Sequence, residues 1–338
     1  MSLTLVNNNY VGELISQLAT LLTIGASDFD HFHFMQTSGS KVRFPYLSVN
    51  TKIQSFTSIC DVTPQGDVSR TVVDIELVRF IVSQELCKDV DFASDYSSAS
   101  GDYEGQEPLA EQIAVWAAEE VDNFSLGLQG LRWSGDTTLA GTELLSEHDG
   151  VVKLIKAMGA YNATTNPTGY VKTTTVAIDA TNAIEQIGAV ADAIKSSAVM
   201  KHKGFKILIS STVRGFLKTQ LRNKATTIGL NALPTVGVAN ENGQITDGSF
   251  FGAPVYVVDG LDYQDSAAVP VIDNSNIVMA GVFTDGNAGV LKCGVGRVKE
   301  EETLTIKEIA DGDKIRWRSI ARQNVSIPPN VSQMAMNG

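Results

Sequence analysis

The sequence predicts an α+β chain made of consecutive parts. They are an N-terminal arm at residues 1–38, an extended two-stranded loop at 39–90, a segment at 91–169 built on a long helix, an α/β domain at 170–290, and return strands at 291–338. Three observations carry this reading. The hydrophobic period switches along the chain, from two in Thr71–Val82 to three and four in Leu109–Val121. A strong turn signal, Asp311-Gly312-Asp313, separates two short alternating runs near the end. The 29 glycines beside an ordinary 7% aromatic content point to a chain rich in loops and hairpins.

The arm holds a short helical stretch, Val11, Leu14, Ile15, Leu18, Leu21 and Leu22, ending before Gly25. Two strand-like runs follow, Lys41–Val49 and Thr71–Val82, with Pro64-Gln65-Gly66-Asp67 between them. The second run is expected to put Val73, Ile75, Leu77 and Ile81 on one face and Asp74 and Glu76 on the other. Such a hairpin is marginal in isolation and needs a neighbour to lie on.

Pro108 suits the first turn of a helix whose stripe runs Leu109, Ile113, Trp116, Ala117, Val121. The pattern is expected to break around Gly127–Gly141, with a short helix at Gly150–Met158. Ala183, Ile184, Ile187, Val190 and Ile194 mark an amphipathic helix, with Asn182 and Glu185 spaced as a capping box. Phe205–Ser210, Val255–Val258 and Asn276–Ala280 read as strands, and Val213, Phe216, Leu217 and Leu221 as a helix. The last hairpin pairs Thr303–Ile306 with Lys314–Arg318, and Pro328-Pro329 is expected to end the ordered pattern.

A net charge of −12 opposes sequence-specific nucleic-acid binding, which depends on Lys and Arg neutralising phosphates. It is compatible with a container whose wall does not hold its contents tightly. Cys60, Cys87 and Cys293 form no CxxC pair and suit a reducing compartment. No basic leader with an apolar run, and no apolar stretch of about 18 residues, points to secretion or a membrane.

The familiar catalytic signatures are absent: no phosphate-binding loop, no dinucleotide fingerprint around Gly294-Val-Gly296, no nucleophile elbow and no H-E-x-x-H. Asp28, Asp30, His31 and His33 could ligate a metal, with the two imidazoles one strand step apart, but the expectation is an edge strand with its polar face outward. Glu300, Glu301 and Glu302 read as a solvated run, Trp116 and Trp317 as core or interface anchors, and His148 and His202 have no evident acid–base partner. No catalytic, cofactor-binding or metal residue is assigned, and no cofactor is expected.

The order of parts resembles that of the major capsid proteins of tailed bacteriophages, the Hong Kong 97-like fold. Matching stretches are Ser83–Asp89 leading from the loop, Glu111–Gly130 as a spine helix, and Asp149–Ile155 after it. Thr181–Ile184 looks like the start of an axial-domain helix, and Phe250–Val257 like the strand before an axial loop. The resemblance implies a peripheral domain at 91–169 with return strands at 291–338, and an axial domain at 170–290. It implies a structural, non-enzymatic protein that self-assembles, as a homo-oligomer of pentamers and hexamers, into an icosahedral capsid enclosing double-stranded DNA. Scaffolding and portal proteins, and decoration proteins, are the further partners it implies, with assembly in the host cytoplasm and residence in the virion. Crosslinking relatives join a loop Lys to a peripheral Asn; here Lys41 or Lys52 with Asn324 is the pairing on offer. The alternatives are an encapsulin-like compartment of the same fold and, in another class, an α/β hydrolase with an unrecognised site.

Overall fold

The computed structural model describes residues 31–51, 66–87, 123–141, 144–162, 164–166, 169–173, 176–194, 205–228, 253–264, 268–283, 291–296, 304–308, 314–327 and 334–337. The strands are β1 (His33–Thr37), β2 (Lys41–Thr51), β3 (Gly66–Glu76), β4 (Val78–Cys87), β5 (Val171–Thr173), β6 (Phe205–Ile209), β7 (Val255–Val257), β8 (Val278–Val282), β9 (Lys292–Gly296), β10 (Leu304–Glu308), β11 (Lys314–Ser326) and β12 (Met334–Asn337). Helix α1 occupies residues 123–134, followed by α2 (Val151–Met158), α3 (Ala183–Asp192) and α4 (Ser211–Ile228).

The first sheet is organised on β11. Over residues 315–319 it pairs antiparallel with β10 on one edge and β4 on the other. At Gln323 it pairs with both Val78 of β4 and Val295 of β9, so β9 shares the β10 edge farther along. Strand β1 then adds parallel to β9. The face of this sheet that carries Phe80, Ala321 and Gln323 rests on α1: Phe80 and Ala321 share a buried cluster with Leu128 and Leu131, and Gln323 Nε2 donates to the Leu128 carbonyl at 3.2 Å.

The second sheet has the order β5-β12-β8-β6-β7 and is buried on both faces. Ile207, Ile209, Val278, Ala280 and Ala335 pack against α3 and α4, while Leu208, Met279, Met334 and Met336 join the cluster around Trp133 and α2. Apolar side chains therefore occupy both phases of the strand alternation, as expected of strands covered on both sides. Cys293, Val295 and Val325 of the first sheet belong to that same Trp133 cluster, which makes it the joint between the two sheets.

Strands β2 and β3 form a separate two-stranded ribbon, paired from Lys41↔Glu76 to Thr51↔Gly66. This is the hairpin the sequence predicts, with its second run divided. Leu77 interrupts the strand, its N–H donating to the Ser40 carbonyl at 2.8 Å. The alternation slips by one residue there, so Phe80 is buried and Ile81, expected beside Ile75, is 50% exposed.

Three further expectations are corrected. Helix α1 runs through Gly127 and Gly130 to residue 134 instead of breaking, and its glycines serve close packing: a Cβ at Gly130 would lie 2.3 Å from Tyr263 Cγ. The start proposed at Pro108 lies outside the described residues. Asn182 and Glu185 do not form a capping box. Asn182 Nδ2 donates to the Ala177 carbonyl, and the end of α3 is served from α4, where buried Gln220 accepts from Ile184 N at 2.6 Å and donates to Glu185. A side chain from a packed neighbour replaces the local cap. Order does not stop at Pro328-Pro329 either, since β12 enters the second sheet between β5 and β8 with all four residues buried. Asn337 fixes it there, accepting from Val278 N and donating to the Asn276 carbonyl.

Two glycines separate close packing from helix propensity. Gly130→Ala is expected to destabilise by about 1–3 kcal/mol, because the new methyl must displace the Tyr263 ring. Gly215→Ala, in α4 with nothing within 4 Å of its added Cβ, is expected to stabilise by up to about 1 kcal/mol. Urea denaturation of both variants checks the opposite signs.

Candidate assembly site

The ribbon attaches to the body through one small apolar joint. Val42, Phe44 and Ile75 are buried there, with Met35, Val73 and Leu77 packed around them. The body contributes β9: a Cβ at Gly294 would meet Leu77 at 2.9 Å and Val42 at 3.1 Å, so the absence of a side chain lets the ribbon lie directly on the sheet. Lys292, 4% exposed, reaches under Phe44 with its Nζ 6.0 Å from the ring centroid. Burial lowers its pKa from the usual lysine value. His33 stands edge-on to Phe44 at 5.9 Å, and burial followed by the Lys292 charge lowers its pKa.

The opposite face of the ribbon is polar and exposed. Lys41 pairs with Glu76 across the strands, and Arg43 Nε meets Asp74 Oδ1 at 3.1 Å. Val72 on this face is 48% exposed. Among the described residues, β2 and β3 pair only with each other, so both outer edges of the ribbon carry backbone groups without a strand partner.

Behind the joint, the body is braced by Trp133 and by buried polar groups. Trp133 is fully buried, with Phe32 edge-on at 5.0 Å and His31 at 6.3 Å. Ser134 Oγ donates to the Gly260 carbonyl at 3.2 Å and accepts from Asn274 Nδ2 at 3.0 Å. Ser210 Oγ donates to the Ser275 carbonyl and accepts from Val213 N, committing this serine to the start of α4. Asp262 completes that helix start by accepting from the backbone and hydroxyl groups of Ser211 and Thr212.

The residues singled out in the sequence do not converge. His31 precedes β1 and is 2% exposed among aromatic rings, with Tyr256 at 5.3 Å, so the expected solvated polar face is corrected: the imidazole belongs to the joint between the sheets. Asp28, Asp30, Glu300, Glu301, Glu302, His202 and Trp116 lie outside the described residues, as does the side chain of Trp317. Among the described residues no three His, Cys, Asp or Glu side chains are placed to hold a metal. Asn324 Nδ2 donates to the Glu76 carbonyl at 2.8 Å, and its Oδ1 accepts from Val325 N, so this amide ties β11 to the ribbon. No helix among the described residues is long and apolar enough to cross a membrane.

No protein-family model matches the chain, and no curated protein matches it. Solved structures do. The chain is similar to the capsid of a native GTA particle, with TM-score 0.50 and 13% identity, covering 92% of this chain and 89% of that one. It is similar to the capsid of an empty GTA particle over the same shares, with TM-score 0.51 and 11% identity. The fold is that of a capsid protein. Among the strands that the sequence did not single out are β5, β9 and β12, of three, five and four residues.

One buried group was visible in the sequence only as a histidine without a partner. His148, 3% exposed, has its Nδ1 3.2 Å from the Asp149 carbonyl. A carbonyl only accepts, so Nδ1 carries the proton and Nε2 is a bare acceptor with no hydrogen-bond partner among the described residues. Burial above all, with the charge of Arg132 adding, lowers its pKa to about 4. The neutral form is thus the one the fold accepts. Stability is full above the unfolded value near 6.5 and is lost as pH falls toward about 4. Between pH 7 and pH 5 this group alone is expected to cost about 2 kcal/mol. His148→Gln should flatten that part of the profile, as read by urea denaturation at the two pH values.

Proposed function

We propose that the chain is a major capsid protein of Hong Kong 97-like architecture from a tailed bacteriophage. In this reading many copies assemble into pentamers and hexamers of an icosahedral shell around double-stranded DNA, in the host cytoplasm, and remain in the virion. The carrying observation is the ribbon. Eleven residue pairs extend from a capsid-protein fold with both outer edges unpaired among the described residues. An isolated hairpin is marginal in water, so such a ribbon gains its stability by lying on another copy. Residues 170–290 then form the axial domain toward the capsomer centre, and residues 91–169 with 291–338 the peripheral domain. Residues 1–38 reach across a neighbour, and scaffolding, portal and decoration proteins are the further partners.

The role is structural, not catalytic. Support comes from how the reactive side chains are used: Ser210 and Asp262 build the start of α4, and His148 is enclosed. Rigid-body tolerance between pentamer and hexamer contacts would reside in the ribbon, which turns on the small Phe44 joint.

Expression with its neighbouring genes, followed by negative-stain electron microscopy and analysis of nuclease-protected contents, tests this directly. Closed shells protecting double-stranded DNA are expected. Shells protecting a protein cargo would point to a compartment instead, and monomers or dimers under all conditions would overturn the shell reading. Phe44→Ala is expected to destabilise the subunit by about 3–5 kcal/mol at most and to reduce shell yield more than a core change of similar cost such as Trp133→Ala, relative to soluble subunit.

A further inference from the structure

Strand β12 follows every other strand of the second sheet in sequence, yet in space it lies inside that sheet, between β5 and β8. The rest of the sheet must therefore hold a slot that four residues fill. They fill it completely: Met334, Ala335 and Met336 are fully buried, and Asn337 is 6% exposed. Strand alternation divides them between two cores. Met334 and Met336 enter the Trp133 cluster that joins the sheets, and Ala335 enters the cluster under α3 and α4.

Both walls of the slot are built for a strand. On one side β8 pairs antiparallel from Met279 to Gly281, and on the other β5 pairs parallel from Val171 to Thr173. Asn337 extends the β8 side beyond the last backbone pair, its Oδ1 accepting from Val278 N at 2.6 Å and its Nδ2 donating to the Asn276 carbonyl at 2.8 Å. Among the described residues β5 pairs with no other strand, whereas β8 keeps β6, and β6 keeps β7. An empty slot thus releases β5 and bares one edge of β8 while the remaining ladders stand. A bared edge above an apolar floor is a template for an added strand. The chain also passes from β11 in the first sheet to β12 in the second, so docking of β12 ties one sheet to the other.

We infer that residues 334–337 are a latch: docked, they lock the two sheets into one stiff body competent to assemble, and undocked, they leave a slot that accepts the same segment from outside the chain. The assembly half rests on the reading of the chain as a shell subunit. Repeated, slightly inequivalent contacts ask for a body that keeps its shape, and an empty slot removes Met334 and Met336 from the joint that gives it.

Native-state hydrogen exchange of the unaltered subunit in rising urea is the first test. Amides of residues 171–173 and 334–337 are expected to open together, at lower urea than those of Phe205–Ile209 and of β11. Opening of all of them in one step would make β12 an ordinary part of one cooperative unit and overturn the latch. Asn337→Ala is expected to lower the urea at which 171–173 and 334–337 open and to leave Phe205–Ile209 unmoved; an equal shift of both sets would overturn it.

The second test uses the full-length variant Met334→Asp with Met336→Asp, whose own strand cannot seat two carboxylates in the Trp133 cluster. It is expected to keep the protection of the first sheet, to form no particles, to bind a synthetic peptide of residues 328–338, and to regain particles with that peptide present. The peptide carrying both Asp changes is expected not to bind. The unaltered chain, whose slot its own strand occupies, is expected to bind the wild-type peptide at least about tenfold more weakly. Particles from the variant without peptide would overturn the inference, as would absent peptide binding or loss of protection in its first sheet. Failure of the unaltered chain to form any particle would count against the shell reading, while exchange and peptide binding still decide the latch.

Discussion

A two-stranded ribbon held at one end cannot be stabilised by its own ladder, because each strand spends one edge on the other and leaves the second edge facing away. Most of the architecture answers to that constraint. The ribbon's root must be fixed by a rigid body, and β9 supplies it by offering Gly294 as a flat seat and Lys292 as a cation beneath Phe44. Strand β9 in turn is held between β1 and β11, and β11 binds β4, which continues the ribbon's own chain after Leu77. Asn324 closes the loop by reaching from β11 to the Glu76 carbonyl at the ribbon's end. The lever and its mount are thus one hydrogen-bonded circuit.

The body behind the mount is stiff for a different reason. Trp133 and its aromatic neighbours fill the space between two sheets, and the second sheet is covered on both faces. Interiors of this kind have discrete arrangements and do not deform continuously. In the proposed shell, adjustment between contacts would therefore fall on the ribbon and its small joint, where Val42, Phe44 and Ile75 are the buried hydrophobics among the described residues. A stiff body with a separately hinged arm is what repeated, slightly inequivalent contacts require.

The sequence made the ribbon, α2, α3, β6, α4 and the final hairpin legible, because each has a regular hydrophobic period or a turn signal of its own. The missed features depend on contacts remote in the chain. Gly127 and Gly130 look like helix breakers until Tyr263 and Leu144 are seen to lie against them, and Gln220 has no local signature as the partner of α3. Strand β12 is too short for a period, and its burial comes from β5 and β8. His31 and His33 suggested chemistry by proximity in sequence, but packing sends one to the Trp133 joint and the other to Phe44.

Hydrogen exchange, read residue by residue on dispersed subunits and on assembled particles, tests the central claim most directly. The account predicts that outward-facing amides of residues 41–51 and 66–76 exchange quickly in the subunit and become strongly protected on assembly, while amides of the second sheet are protected in both. Equal protection of the ribbon in both states would show that it needs no neighbour, and would contradict the account.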